Sequence, residues 1–266
     1  LSGRVTVHHA PRSEFLPPPY IANMVFVGPE MTSAVLAESG RLAKLYESVR
    51  PYGGVLYLLA TAEQTAEIRQ RVVALGLERA DVEIAPHGVC IRRVGPLPGA
   101  GEWTHQHGDI ANTIKSNDQR VKLPLGILWF GGNSHDDILP RHGHGPPEQV
   151  VGGRLIVQGM NSLTARDVYT GRVLWKREFK DLGTQDVFFD DTYKDAPLDS
   201  AYNQVHIPGA NARGTNYVVT ADRIYIAEGA ACHVLDTKTG ESLATIALPQ
   251  ADPQQPAEWG FIGVYK

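Results

Sequence analysis

Seven positions in the second half of the chain recur without a gap at a constant offset of 69 residues. Val150 matches Val219, Arg154 matches Arg223, Leu155 matches Ile224, Asp167 matches Asp236, Thr170 matches Thr239, Gly171 matches Gly240, and Leu174 matches Leu243. Each copy reads as a strand (RLIVQG, RIYIAEG), a second strand ending in Asp, a turn (DVYTG, DTKTG) and a third strand (RVLWKREF, ESLATIAL). The copies differ at one conspicuous place, where Trp175 of the first is matched by Ala244 of the second.

The Asp-x-x-Thr-Gly element has a mechanical meaning. Asp bonds the backbone N–H groups of the turn, and Gly takes the positive φ that tightens the hairpin, so the element sets strand register. One small sheet cannot bury both of its faces, so repeats of this kind stack on each other as solenoids or propellers. Trp175, on the third strand, suits packing between neighbouring sheets. The spacer between the copies, residues 181–215, is rich in Asp, Asn, Gly and Tyr and reads as a loop excursion exposed for function.

The first 95 residues follow a different grammar. Short β-type runs, residues 4–9 and 21–27, flank a proline-rich turn, and residues 31–50 then switch to helical spacing. Met31, Val35, Leu36, Leu42, Leu45, Tyr46 and Val49 fall on one face, which predicts a helix packed on a sheet. Pro51, Gly53 and Gly54 break it, residues 55–60 form an apolar strand, and Thr61 with Gln64 supplies a capping box for a second helix that Gly76 ends. Two short strands, residues 81–85 and 88–94, close this α/β unit. After Pro96 the helical period disappears and aromatic, Gly-rich runs such as LGILWFGG take over, so residues 96–266 are expected to be all-β.

The chain has 266 residues, 42% of them hydrophobic, with a formal net charge of -4, which provides for a packed core and argues against nucleic acid as a partner. No apolar run has the length of a membrane span. Cys90 and Cys232 match no metal or redox spacing. Leu1 opens inside one strand-like pattern and residues 261–266 end in another, so a longer chain is expected on both sides.

The segment from Gly153 to Trp175, repeated with Asp236, Thr239 and Gly240, resembles the PQQ-like (quinoprotein) β-propeller repeat, and Trp103 to Thr113 resembles the opening of such a blade. That resemblance implies an incomplete propeller of about two to three blades, too few to close a ring. Residues 42–60, with the Arg50-Pro51-Tyr52-Gly53-Gly54 turn, are similar to the C-terminal portion of a class I S-adenosylmethionine-dependent methyltransferase. The Gly-rich loop and the acidic ribose-binding residue of such enzymes are not in this sequence. The combination, joined through Gly95-Pro96-Leu97-Pro98-Gly99, resembles large bacterial PQQ-repeat proteins of the planctomycete type. Membership would imply export to the periplasm or cell envelope.

The fold class expected is therefore α/β, a partial Rossmann-like unit over residues 1–95, followed by an all-β propeller segment over residues 96–266. Candidate ligand-binding residues are His105 and His107 in one loop and His135, Asp136, Asp137, Arg141, His142 and His144 in another. Imidazoles and carboxylates this close can ligate a metal, but the Gly-rich setting lacks the i, i+4 spacing of a zinc helix, so they are read as a polar rim with no metal. Asp186, Asp190, Asp191, Asp195 and Asp199 lack the alternating ligands and central Gly of an EF-hand loop and read as solvated surface. Asp167, Thr170, Gly171, Trp175, Asp236, Thr239 and Gly240 are assigned to structure. Catalytic and cofactor-binding residues are left unassigned, and SAM or PQQ enters only through the resemblances. The leading expectation is a scaffold for a small molecule or a protein. The alternatives are a methyltransferase whose cofactor loop lies upstream and a PQQ-dependent oxidoreductase.

Overall fold

The structure is a computed structural model, and the residues it describes are 5, 7–9, 15–132, 134, 137–138, 147–183, 217–249, 257 and 259–265. The chain divides into two compact units, Leu1–Pro98 and Gly99–Lys266.

In the first unit, β1 (Met24–Val27) leads through α1 (Pro29–Ala37) and α2 (Arg41–Ser48) to β2 (Gly54–Leu59), then α3 (Ala62–Ala74), β3 (Ala80–Ala85) and β4 (Gly88–Arg93). The sheet order is β1-β2-β4-β3, with β1 parallel to β2 and the other pairs antiparallel. Alternation along the strands sends Val25, Val27, Leu56, Leu58, Val89 and Ile91 into one apolar cluster with Val35, Leu36, Leu42, Tyr46 and Ile68 of the helices. The capping box of α3 forms as expected. The Gln64 N–H donates to Thr61 Oγ1 at 3.3 Å, and the Thr61 N–H donates to Gln64 Oε1 at 3.0 Å.

Two expectations are corrected here. The single helix expected over residues 31–50 is two helices, because the chain turns to extended backbone at Glu38, φ -95° and ψ 120°, and Gly40, left-handed at φ 81°, then leads into α2. The described residues of the first β-type run, Val5 and Val7 to His9, belong to no strand, since no neighbouring strand pairs with them among the described residues.

The second unit contains two four-stranded antiparallel meanders. The first is β5 (Gln149–Val151), β6 (Arg154–Gly159), β7 (Ser162–Asp167) and β8 (Val173–Glu178), and the second is β9 (Tyr217–Val219), β10 (Arg223–Glu228), β11 (Ala231–Asp236) and β12 (Ser242–Ala247). Their likeness extends to the irregularities, because the register slips between Ala165 and Arg166 in one and between Val234 and Leu235 in the other. The meanders bury their facing sides together in a cluster of Val151, Ile156, Leu163, Ala165, Tyr217, Val219, Ile224, Ile226 and Leu235. The outer side of the second meander packs Val218 and Cys232 against Ile262 and Trp259.

The described part of residues 96–266 contains strands and no helix, as expected, but residues 99–132 carry isolated bridges at Trp103 and His105 in place of strands. The reason is local. Asp109 accepts the N–H groups of Ala111 and Thr113, and Asp118 accepts those of Gly101, Arg120 and Val121, so side-chain carboxylates take donors that a ladder would need. No helix among the described residues is long and apolar enough to cross a membrane.

Candidate functional site

The repeated residues build an interlock between sheets. Asp167 Oδ1 accepts the N–H groups of Tyr169 and Thr170, both at 3.0 Å, and Asp236 Oδ1 accepts those of Lys238 and Thr239 at 2.7 and 2.9 Å. Burial pushes the Asp236 carboxyl up, but these amide donors outweigh it and hold the group below the usual carboxylate range. Each turn then receives an indole. Trp129 donates from Nε1 to the Val168 carbonyl at 2.8 Å, and Trp175 donates to the Thr237 carbonyl at 3.1 Å, two acceptors at equivalent places in the repeat. The glycines clear the seat, because a β-carbon on Gly171 would collide with the Trp129 ring and one on Gly240 would come within 2.7 Å of the Trp175 ring. Both have positive φ, 69° and 73°. Arg177 adds bonds from Nη1 to the Gly240 carbonyl at 3.0 Å and from Nη2 to Ser242 Oγ at 2.8 Å.

Near the first strands of both meanders, residues 103–105 form a seam. Trp103 exchanges backbone bonds with Val150 at 2.9 and 2.8 Å, and the Val219 N–H donates to the Thr104 carbonyl at 3.1 Å. The Gln149 amide joins β5 to β9 like an extra peptide, donating to the Tyr217 carbonyl at 2.8 Å and accepting from the Val219 N–H at 2.9 Å.

His105 sits in this seam with 4% of its surface exposed. The Val264 N–H donates to its Nε2 at 3.1 Å, which assigns the proton of the neutral ring to Nδ1. Nδ1 then donates to Thr104 Oγ1 at 2.7 Å, and that hydroxyl donates to the Gly108 carbonyl at 3.3 Å. Burial pushes the His105 pKa down, with the nearby Asp109 carboxylate pulling the other way. A shallow groove of about 270 Å³ lies alongside, lined by Glu102, Thr104, His105, Asp109, Thr220 and Tyr265 among others. Both ring nitrogens of His105 are thus engaged within the protein.

Two of the other candidates, His107 and Asp137, are among the described residues. His107 is exposed, because Gly108, at φ 95°, turns the chain directly after it. Asp137 pairs with Lys176 Nζ at 2.8 Å and accepts from Ser134 Oγ at 2.9 Å. His135, Asp136, Arg141, His142 and His144 lie outside the described residues, as does the acidic run from Asp186 to Asp199. Among the described residues no three or more His, Cys, Asp or Glu side chains are grouped closely enough to hold a metal ion.

A second cavity, of about 430 Å³, was not foreseen. Trp129, Gly131, Ile138, Glu148, Leu155, Val157 and Arg166 line it. Arg166 is only 2% exposed, its guanidinium carbon lies 5.8 Å from the Trp129 ring centre, and its Nη1 donates to the Gly131 carbonyl at 3.2 Å. Burial pushes its pKa below the usual guanidinium value, opposed by Asp137. The signal was available in the repeat, which has Arg166 where the second copy has Leu235.

No family model and no curated protein sequence matches the chain. Similar solved structures include BamB from Moraxella catarrhalis, 18% identical with a TM-score of 0.24, over 40% of this chain and 25% of that one. A europium-containing methanol dehydrogenase is 17% identical with a TM-score of 0.37, over 62% of this chain and 26% of that one. The quinohemoprotein alcohol dehydrogenase from Comamonas testosteroni is 17% identical with a TM-score of 0.35, over 55% and 19%. The matched part thus spans about a quarter or less of those chains.

Proposed function

We propose that this chain is a stretch of PQQ-like β-propeller that serves as a ligand- or protein-binding scaffold, joined to a methyltransferase-like unit over residues 1–95. The observation that carries the scaffold reading is the repeated interlock, in which Trp129 and Trp175 seat on equivalent turns of consecutive meanders and donate to equivalent carbonyls. A platform of this kind is made rigid by its side-to-side joints and leaves its loops and grooves free to bind. The methyltransferase-like reading is supported by a parallel pair, β1 and β2, followed by an antiparallel closing pair whose last strand inserts between β2 and β3. Export to the periplasm or cell envelope belongs to the same reading and comes from the family resemblance.

The test compares three readings on one sample. Under the scaffold reading the purified protein carries no quinone absorbance, reduces no dye with added calcium and PQQ, and keeps its melting temperature when S-adenosylmethionine is added. Calcium-dependent dye reduction would replace it with the oxidoreductase reading. A rise of several degrees with S-adenosylmethionine would replace it with a methyltransferase.

A further inference from the structure

The first unit leaves one sheet edge, and the groove beside it, without a partner. Among the described residues β3 pairs with β4 alone. The Val94 N–H donates to the Arg79 carbonyl at 2.8 Å, so Arg79, Asp81 and Glu83 direct their backbone groups at β4. Val82 and Ile84, one step out of phase, direct theirs at the free edge. Alongside lies a groove of about 630 Å³ between α3 and β3, lined by Ala66, Arg69, Gln70, Val73, Ala74 and Val82. Val73 in its wall is 81% exposed, and Ile84, on the same face of β3 as Val82, is 58% exposed. An open edge next to an apolar groove is the setting in which an extended peptide adds as a further strand. It bonds through its backbone and sends alternate side chains into the groove.

The charges on the two faces of β3 narrow what that peptide is. On the groove face Arg69 is the one charged group of the lining, and it disfavours a cation there. Asp81 and Glu83 alternate with Val82 and stand exposed on the opposite face. Residues directly opposite each other in a sheet share a face, so a strand laid beside β3 meets apolar groups on one side and carboxylates on the other. A second copy of β3 fits this edge badly. In the two antiparallel registers of longest overlap, Glu83 would face either Glu83 or Asp81 of the other copy, and like charges directly opposite are destabilising. We propose that the edge of β3 binds an extended peptide segment of a partner protein in which apolar residues alternate with Lys or Arg. The apolar side chains enter the groove against Val73 and Ala74, and the cations face Asp81 and Glu83.

The site goes beyond the scaffold reading and does not depend on it, since it needs only the first unit. Fluorescence anisotropy of short labelled peptides, titrated with the whole chain, tests it. A peptide alternating Val and Lys is expected to bind with a Kd below about 1 mM, and at least about 10-fold more tightly than one alternating Val and Glu. Ile84→Pro removes a donor from the free edge and leaves the β3–β4 ladder intact, so it should fold, and it is expected to weaken binding of the Val–Lys peptide by about 10-fold or more. Glu83→Lys, at an exposed position, is expected to narrow the preference between the two peptides by about 5-fold or more. Equal binding of the two peptides, undiminished binding by folded Ile84→Pro, an unchanged preference in Glu83→Lys, or no binding of the Val–Lys peptide at about 1 mM would each overturn the proposal. So would a dimer of the parent protein that Ile84→Pro dissolves, which would give the edge to a second copy.

Discussion

The two meanders of the second unit share a backbone and differ in what they offer their neighbours. Both end β-strand three in an Asp-x-x-Thr-Gly turn with the same side-chain bonds and the same register slip. At three neighbouring positions, however, the first meander carries Arg166, Trp175 and Arg177 where the second carries Leu235, Ala244 and Ile246. The turn makes each meander a receiver, and the outermost strand decides whether it is also a donor. The first meander therefore joins on both sides by the same device, whereas the second accepts Trp175 and presents an exposed β12. Repetition fixes the shape of the unit, and the positions free to vary within it set which joints exist.

The sharpest way to break this comparison is to give the first meander the residue of the second. Trp175→Ala removes a packed indole and its bond to the Thr237 carbonyl, and is expected to destabilise the protein by about 3 kcal/mol, the range for aromatic truncation at a packed site. A urea unfolding midpoint measured for both proteins decides it. A loss below about 1 kcal/mol would mean the apolar cluster alone joins the meanders.

The receiving side can be separated from the donating side with glycines. Gly240→Ala meets both a positive φ of 73° and the Trp175 ring, and is expected to cost about 2 kcal/mol. Gly229→Ala has positive φ, 56°, with nothing within 4 Å of the new β-carbon, and should cost only about 1 kcal/mol from backbone strain. Equal losses in the two variants, measured by the same unfolding series, would remove the indole from the explanation.

These contrasts also mark how far the sequence reaches. The meanders were legible because an Asp and a Gly at fixed spacing act on their own turn, within five residues of each other. The capping box of α3 was legible for the same reason. The partner of each turn was not, since Trp129 and Gly171 meet only through the stacking of sheets. His105 read as a rim group because polarity favours exposure, and it is buried by a contact with a residue remote in the chain, Val264, while Arg166, buried beside Gly131, was not singled out at all. Residues 99–132 misled in the opposite direction. Their aromatic and Gly content has a β character, but Asp109 and Asp118 capture the backbone donors, a competition that composition does not reveal.

The seam at His105 ties both meanders together and predicts a pH signature smaller than either core substitution. Its folded pKa is depressed, so the unfolded chain takes up a proton first, near the ordinary value of about 6.5. Stability is then fully present above that pH and declines as the pH falls toward the folded value. The depressed carboxylates of Asp109 and Asp236 act in the same direction but in a lower window, below about 4. Unfolding midpoints between pH 7 and pH 5 should therefore fall for the parent protein and flatten in His105→Gln. An unchanged slope in that variant would assign the acid sensitivity elsewhere.

The smallest effect tests the asymmetry from the other side. Ala244→Trp places an indole on the second meander at the position of Trp175, on a strand whose residues are all exposed. Among the described residues no Asp-x-x-Thr-Gly turn follows β12. Without a glycine seat and a waiting carbonyl the ring gains little burial, so stability should change by less than about 0.5 kcal/mol, as for other surface substitutions. Its fluorescence should report a solvent-exposed indole. A gain above about 1 kcal/mol would mean that the outer side of the second meander already holds a seat, and the contrast between donor and receiver would then describe one strand's sequence and not the architecture.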